Sequence, residues 1–285
     1  MKERANAKPS QPDAPPQEYD SPWKEILTNF FEPFLALFFP DIHTAVDWPR
    51  GFEFLETELQ KIVVKSPMGR RLADKLVKVY LLNGREVWML IHVEVQGKRE
   101  KRFATRMFVY HYRIFERFGQ KVISLAILTD DNPRWRPSEF SYDLFGTGIR
   151  LKFRATKLID YADNWAALEA NPNPFAVVVM AHLKAMETRH EPLQRYRWKL
   201  EMLKGLHQRG HNLEDARQLI RFIDWVMMLP VELENRLEFE MTQFEEERKV
   251  EYVTSFERIA MRRGEQKGLE QGLEQGLEQG LEQGL

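Results

Sequence analysis

Apolar residues cluster in two β-type blocks between Leu72 and Gly97, separated by Asn83-Gly84. Val77, Val79 and Leu81 in the first block, and Val87, Met89, Ile91 and Val93 in the second, are branched or large apolar residues of the kind strands favour. Asn-Gly between two such runs predicts a tight β-hairpin. The period of two puts His92, Glu94 and Gln96 on one face of the second strand. A two-residue turn at Asn83-Gly84 pairs Leu82 with Arg85 and sets Asp74 opposite Val93. In that register Asp74 and Glu94 face opposite ways. For the two carboxylates to share a site, the hairpin needs a one-residue irregularity between Lys75 and Leu90: a bulge, or a loop of odd length.

Upstream, Ser21-Pro22 reads as an N-cap followed by proline in the first turn of a helix. Trp23, Ile26, Leu27, Phe30, Phe31 and Phe34 recur at helical spacing, with a break expected near Pro33. A short strand is expected near Phe54–Val64. Glu100–Phe118 has a helical period: Phe103, Met107, His111, Ile114, Phe115 and Phe118 share one broad side. Arg102, Arg106, Arg113 and Arg117 fall within an arc of about 60° on another. Lys121–Leu128 reads as a buried strand, Asp130-Asp131-Asn132-Pro133 as a turn, and Arg150–Ile159 as a further strand. After Asp163 the pattern is helical, with helices expected over Phe175–Met186, Leu193–His207, Leu213–Leu229 and Glu232–Glu247.

The fold class this predicts is α/β (α+β): a mixed sheet flanked by helices, followed by a helical C-terminal region. The chain divides into a Pro/Gln-rich stretch over residues 1–19 expected to be disordered, an α/β domain over 20–162, a helical region over 163–250, and a tail over 251–285. From Gly268 the tail repeats Gly-Leu-Glu-Gln. A four-residue period drifts about 40° per repeat on an α-helix, so its leucines form no lasting seam. Each interior Gly also costs about 1 kcal/mol relative to Ala. The tail therefore reads as a frayed helix or flexible segment, or as an element through which copies of the chain associate. It carries no catalytic residue.

The 285 residues include no Cys, which excludes disulfides and Cys-ligated metal centres. No secretory leader or membrane-spanning run is read in the chain, so the expected location is the cytoplasm, with no membrane partner. Net charge is −1 but unevenly spread. Residues 61–121 hold 15 Lys/Arg against 5 acids, and residues 230–285 hold 14 Glu against 7 Lys/Arg. A basic segment containing a few well-placed acids suits a polyanion and a metal. Asp74 and Glu94 on rigid strands offer the oxygen donors that a hard cation takes. Their alternative role is that of solvated strand-edge carboxylates. The arginine stripe reads either as a solvated helix face or as phosphate contacts. His92 reads as a buried, hydrogen-bonded histidine before a ligand.

These residues carry a resemblance. Asp74-Lys-Leu-Val-Lys-Val, the turn, Trp88-Met-Leu-Ile-His-Val-Glu94-Val-Gln96-Gly97 and Arg106-Met107-x-x-Tyr110 resemble the bacterial Rpn family. Its members are recombination-promoting nucleases, often labelled transposases, with a PD-(D/E)XK restriction-endonuclease-like core. Asp20-Ser-Pro-Trp-Lys24 is similar to the family's N-terminal Asp-x-x-x-Lys element, and the C-terminal repeat to tails found in it. The likeness is specific from about Asp20 to Leu128 and looser to about Glu247.

The resemblance implies that Asp74 and Glu94 hold Mg²⁺ or Mn²⁺. It places Gln96 in the catalytic set, where the wider superfamily carries Lys. Gln orients water or a phosphate oxygen but supplies no positive charge. Lys75, Lys78, Lys98 or a second metal are the sources left for that charge. Glu25, and after it Glu32, are candidates for a third acid. Lys75, Lys78, Lys98, Arg102, Arg106, Tyr110 and Arg113 are candidates for substrate contact. The expected function is Mg²⁺-dependent hydrolysis of DNA phosphodiester bonds, linked to recombination or mobile elements. The alternative is a weakly active or inactive nuclease-fold module that binds DNA or protein. No Asp-Asp-Glu triad in an RNase-H-like layout supports a strand-joining transposase.

Overall fold

A computed structural model describes residues 21–63, 73–94 and 102–248. Its first half runs α1 (Ser21–Asn29), α2 (Phe31–Phe38), α3 (Pro40–His43), β1 (Phe52–Phe54), α4 (Glu56–Val63), β2 (Ala73–Tyr80), β3 (Glu86–Glu94), α5 (Phe103–Phe118), β4 (Val122–Leu128), β5 (Glu139–Leu144), β6 (Thr147–Lys152) and β7 (Arg154–Lys157). The second half is helical: α6 (Trp165–Ala170), α7 (Pro174–Glu187), α8 (Pro192–Gln208), α9 (Leu213–Val226) and α10 (Val231–Arg248). Five strands form one mixed sheet in the order β1-β2-β3-β4-β7. β2 pairs antiparallel with β1 and β3, whereas β4 pairs parallel with β3 and β7. β5 and β6 form a separate hairpin.

Both faces of the central strands are covered, which is why β3 and β4 read as near-continuous apolar runs. Val77, Val79, Met89, Ile91, Leu125 and Ile127 point to one face and join Trp23, Phe34, Phe175 and Phe222 from α1, α2, α7 and α9. Leu76, Trp88 and Leu90 point to the other, against Tyr110 and Ile114 of α5 and Leu55 and Leu59. Further along that face Ala126 and Leu128 meet Phe103, Met107, Trp135 and Phe153. The result is a helix–sheet–helix sandwich. The first core continues to Leu237 and Met241 of α10, so the C-terminal helices share the core of the sheet. Phe34, fully buried, has ring centroids of Phe38, Phe39 and Phe175 at 5.4, 5.8 and 5.4 Å. Burying a ring of this size contributes about 1.5–3 kcal/mol.

Several boundaries differ from the sequence expectation. The break expected near Pro33 falls at Phe30, because a proline ring clashes with the carbonyl four residues earlier, here Asn29. Pro33 then sits in the first turn of α2, where a missing N–H costs least. The strand expected near Phe54–Val64 ends at Phe54 among the described residues. Beyond it Glu56 and Glu58 occupy the first turn of α4, and Leu55 and Leu59 lie one helical turn apart on its buried side. The single strand expected over Arg150–Ile159 is two, β6 and β7, separated at Phe153, whose side chain is buried. β5 had no counterpart in the expectation, although Phe140, Tyr142 and Leu144 alternate with polar residues. Residues 1–19 and 251–285, Gln96 and Lys98, for which the sequence raised expectations, lie outside the described residues. Among the described residues no helix is long and apolar enough to cross a membrane.

Candidate metal and phosphodiester site

The hairpin carrying Asp74 and Glu94 does not close with a two-residue turn. Tyr80 pairs with Glu86, and Asp74 with His92, one residue away from the simplest register. The loop is Leu82-Asn83-Gly84. Leu81 N–H donates to Arg85 O, Gly84 N–H donates to Leu81 O, both at 2.8 Å, and Gly84 takes φ 81°. This is a turn followed by a left-handed glycine, the usual three-residue hairpin loop. The reason lies outside the hairpin. Leu82 N–H donates to Ala45 O at 2.9 Å, Val46 bridges Leu81, and Asp47 N–H donates to Tyr80 O at 2.8 Å. The segment before β1 therefore claims the Leu82 amide that a two-residue turn would have paired with Arg85.

The shifted register has a direct consequence. Position 74 lies opposite position 92, and the period of two puts position 94 on the same face of the ladder. Diagonal neighbours of this kind are about 7–8 Å apart. Across the parallel pairs, Glu94 lies beside Leu128, and Leu128 beside Lys157. The amino end of β2 and the carboxyl ends of β3, β4 and β7 thus share one edge of the sheet. Ligands of open α/β sheets bind at the carboxyl ends of such strands. Both positions supply carboxylate oxygen, the donor type that suits Mg²⁺ or Mn²⁺. Among the described residues no group of three metal-ligating side chains converges.

The same edge holds charged groups that sequence reasoning did not assign to it. Lys157 Nζ donates to Asp130 Oδ2 at 2.6 Å and to Trp135 O at 3.2 Å, with both charged side chains buried. Asp130 Oδ1 accepts the Asn132 N–H at 2.9 Å, which makes the expected turn. His182 Nε2 donates to Thr129 O at 3.0 Å, and burial lowers the imidazole pKa. The available signal was an Asp just beyond a buried strand and a Lys inside a predicted one. Nothing in the spacing said that the two would meet.

The candidate substrate contacts scatter. Lys75 is buried, bonded to Glu56 of α4, with its ammonium 5.1 Å from the Phe54 ring centroid. Lys78 pairs with Glu53 across the β1–β2 rung, and that carboxylate raises its pKa. Arg106 and Tyr110 are buried on the inner side of α5, with the Arg106 guanidinium 5.5 Å from the Phe103 ring. Arg113 is half-buried and Arg102 exposed. The four arginines of the stripe therefore divide between packing and solvent. Glu25 lies 3.7 Å from Arg221 and links α1 to α9, and Glu32 lies 3.4 Å from His43. His111 meets Ser124 Oγ at 3.0 Å, and burial lowers its pKa.

Neither family models, nor curated proteins, nor solved structures give a match to this chain.

Proposed function

We propose that this chain is a metal-dependent DNA endonuclease with Asp74 and Glu94 as the metal-holding carboxylates. The observation that carries the reading is the three-residue loop at Leu82–Gly84, which brings positions 74 and 94 to one face of the β2–β3 ladder. Two further features support it. Helices flank a sheet in which an antiparallel β1-β2-β3 run is followed by α5 and a parallel β4, an arrangement compatible with the PD-(D/E)XK core that the resemblance implies. The segment around the two acids is also strongly basic, as a phosphodiester substrate requires. A divalent cation held by the two carboxylates supplies a bound water of lowered pKa and polarises a phosphoryl oxygen. The protein's own part is to fix the two oxygen donors on paired strands, and Gln96 is assigned to orient the water or a phosphate oxygen.

Plasmid cleavage by the purified full chain with Mg²⁺ or Mn²⁺ tests this. Asp74→Ala and Glu94→Ala are each expected to slow cleavage about a hundredfold or more, the scale of losing one main electrostatic contributor. Equal cleavage by the variants and the native chain would remove both residues from the assignment. The second reading, a DNA-binding module without catalysis, is favoured by one observation: Lys75 and Lys78 are committed to Glu56 and Glu53. It predicts salt-dependent DNA binding with no metal-dependent product.

A further inference from the structure

The β5–β6 hairpin departs from the chemistry that its own turn asks for. Leu144 pairs with Thr147, which leaves Phe145-Gly146 as a two-residue loop. Phe145 has φ 53° and Gly146 φ 80°, the positive values that a I′ turn requires at both central positions. Asn, Asp or Gly normally fills the first of these positions, since a bulky side chain is disfavoured there. Phe145 is also fully exposed, so it gains no burial in return. A local rule broken without a folding gain points to function.

The hairpin has one apolar face. Phe140, Tyr142 and Leu144 lie on it, opposite Leu151, Ile149 and Thr147. Its base is anchored: Phe140 stacks on Phe108 of α5 at 4.5 Å and 13°. The row continues both ways, from Phe108 to Tyr112 at 6.2 Å and from Phe140 to Tyr142 at 6.0 Å. Four consecutive rings thus run from the helix onto the hairpin. The inner two do the anchoring, whereas Tyr112 and Tyr142 remain about half exposed, at 47% and 49%. The flanking segments are basic. Residues 102–121 carry five Lys/Arg against one acid, and residues 134–157 carry six against two. Arg136, Arg150 and Arg154 are held by Asp160, Glu139 and Asp41. Asp160, Asp41 and the Asp130 that holds Lys157 lie outside residues 134–157, so the net positive excess comes from residues 102–121 rather than from the hairpin.

We infer that this row, together with the exposed Phe145 at the hairpin tip, is a stacking platform for unpaired bases of a DNA strand. An exposed aromatic row that starts on a net-positive helical segment suits a polyanion whose units present π faces, and stacking accepts any base. The inference rests on DNA being the substrate, as proposed above, and adds that the strand is engaged where its bases are unpaired.

The test measures binding apart from cleavage. The full chain is titrated in EDTA with a fluorescent oligo-dT strand and with a duplex of equal length. Tighter binding to the single strand is expected. Phe145→Asn suits the turn and should fold at least as well, yet it should weaken oligo-dT binding about five- to a hundredfold. Phe145→Trp should retain it. Native-like binding by Phe145→Asn, equal affinity for strand and duplex, or failure of the Trp variant overturns the inference. So does a change of oligomeric state in light scattering with DNA binding intact, which would mark the hairpin as a contact between copies. Asp74→Ala cleavage is scored separately. Binding through Phe145 without any cleavage leaves the platform standing and removes the nuclease reading. Asp74-dependent cleavage with binding indifferent to Phe145 does the reverse.

Discussion

Gly84 decides which face Asp74 shares. Its φ of 81° lets the Leu82–Gly84 loop close with three residues, and no atom would crowd an added Cβ. The cost of a side chain there is purely conformational, about 1 kcal/mol for a left-handed L-residue. Gly84→Ala is therefore expected to lower unfolding free energy by about that amount in a denaturant titration, and a neutral result would contradict the loop geometry. At this scale the sequence was legible in part. Asn83-Gly84 announced a hairpin, and the need for an odd offset followed from counting residues. The offset itself came from Ala45, whose carbonyl takes the Leu82 amide. That contact spans 37 residues, and no local propensity encodes it. Phe145-Gly146, by contrast, closes the two-residue turn that Asn83-Gly84 was expected to make.

At the level of elements, periodicity located most helices within a few residues. It could not say which polar residues on them are buried. α8, α9 and α10 are joined by Lys199, whose ammonium is fully buried between Asp224 at 2.9 Å and Glu234 at 2.7 Å. Removing the cation leaves two partly buried carboxylates facing each other. Lys199→Met is expected to destabilise the chain by about 3 kcal/mol or more, the scale of breaking a buried ion pair from one side. A thermal melt matching the native chain would show that the three helices hold without it. The Arg stripe on α5 failed as a unit for a related reason. Arg106 borders the inner face of that helix, where a guanidinium covers the Phe103 ring, so angle alone could not separate packing from solvent.

For the whole molecule, burial sets a pH response. His111, His182 and His211 all have pKa values lowered by desolvation. The unfolded chain binds protons at these sites below about pH 6.5, and the folded chain binds them only at lower pH. Stability is therefore full above that value and falls as pH drops below it. The thermal midpoint should decline between about pH 7 and pH 5, and His182→Gln should flatten that decline. Asp41, Glu139 and Asp160, held low by arginines, contribute only to losses at more acidic pH. A midpoint independent of pH across the histidine window would refute this account.

By itself the sequence determined an α/β chain with a β-hairpin, the long helix that follows it and a helical second half, because hydrophobic period is local and survives without context. Only the tertiary structure decided the hairpin's register, the meeting of Asp130 with Lys157, and the aromatic row that crosses from α5 to β5. Each of these depends on contacts between residues distant in the chain, where packing and hydrogen-bond competition override local preference.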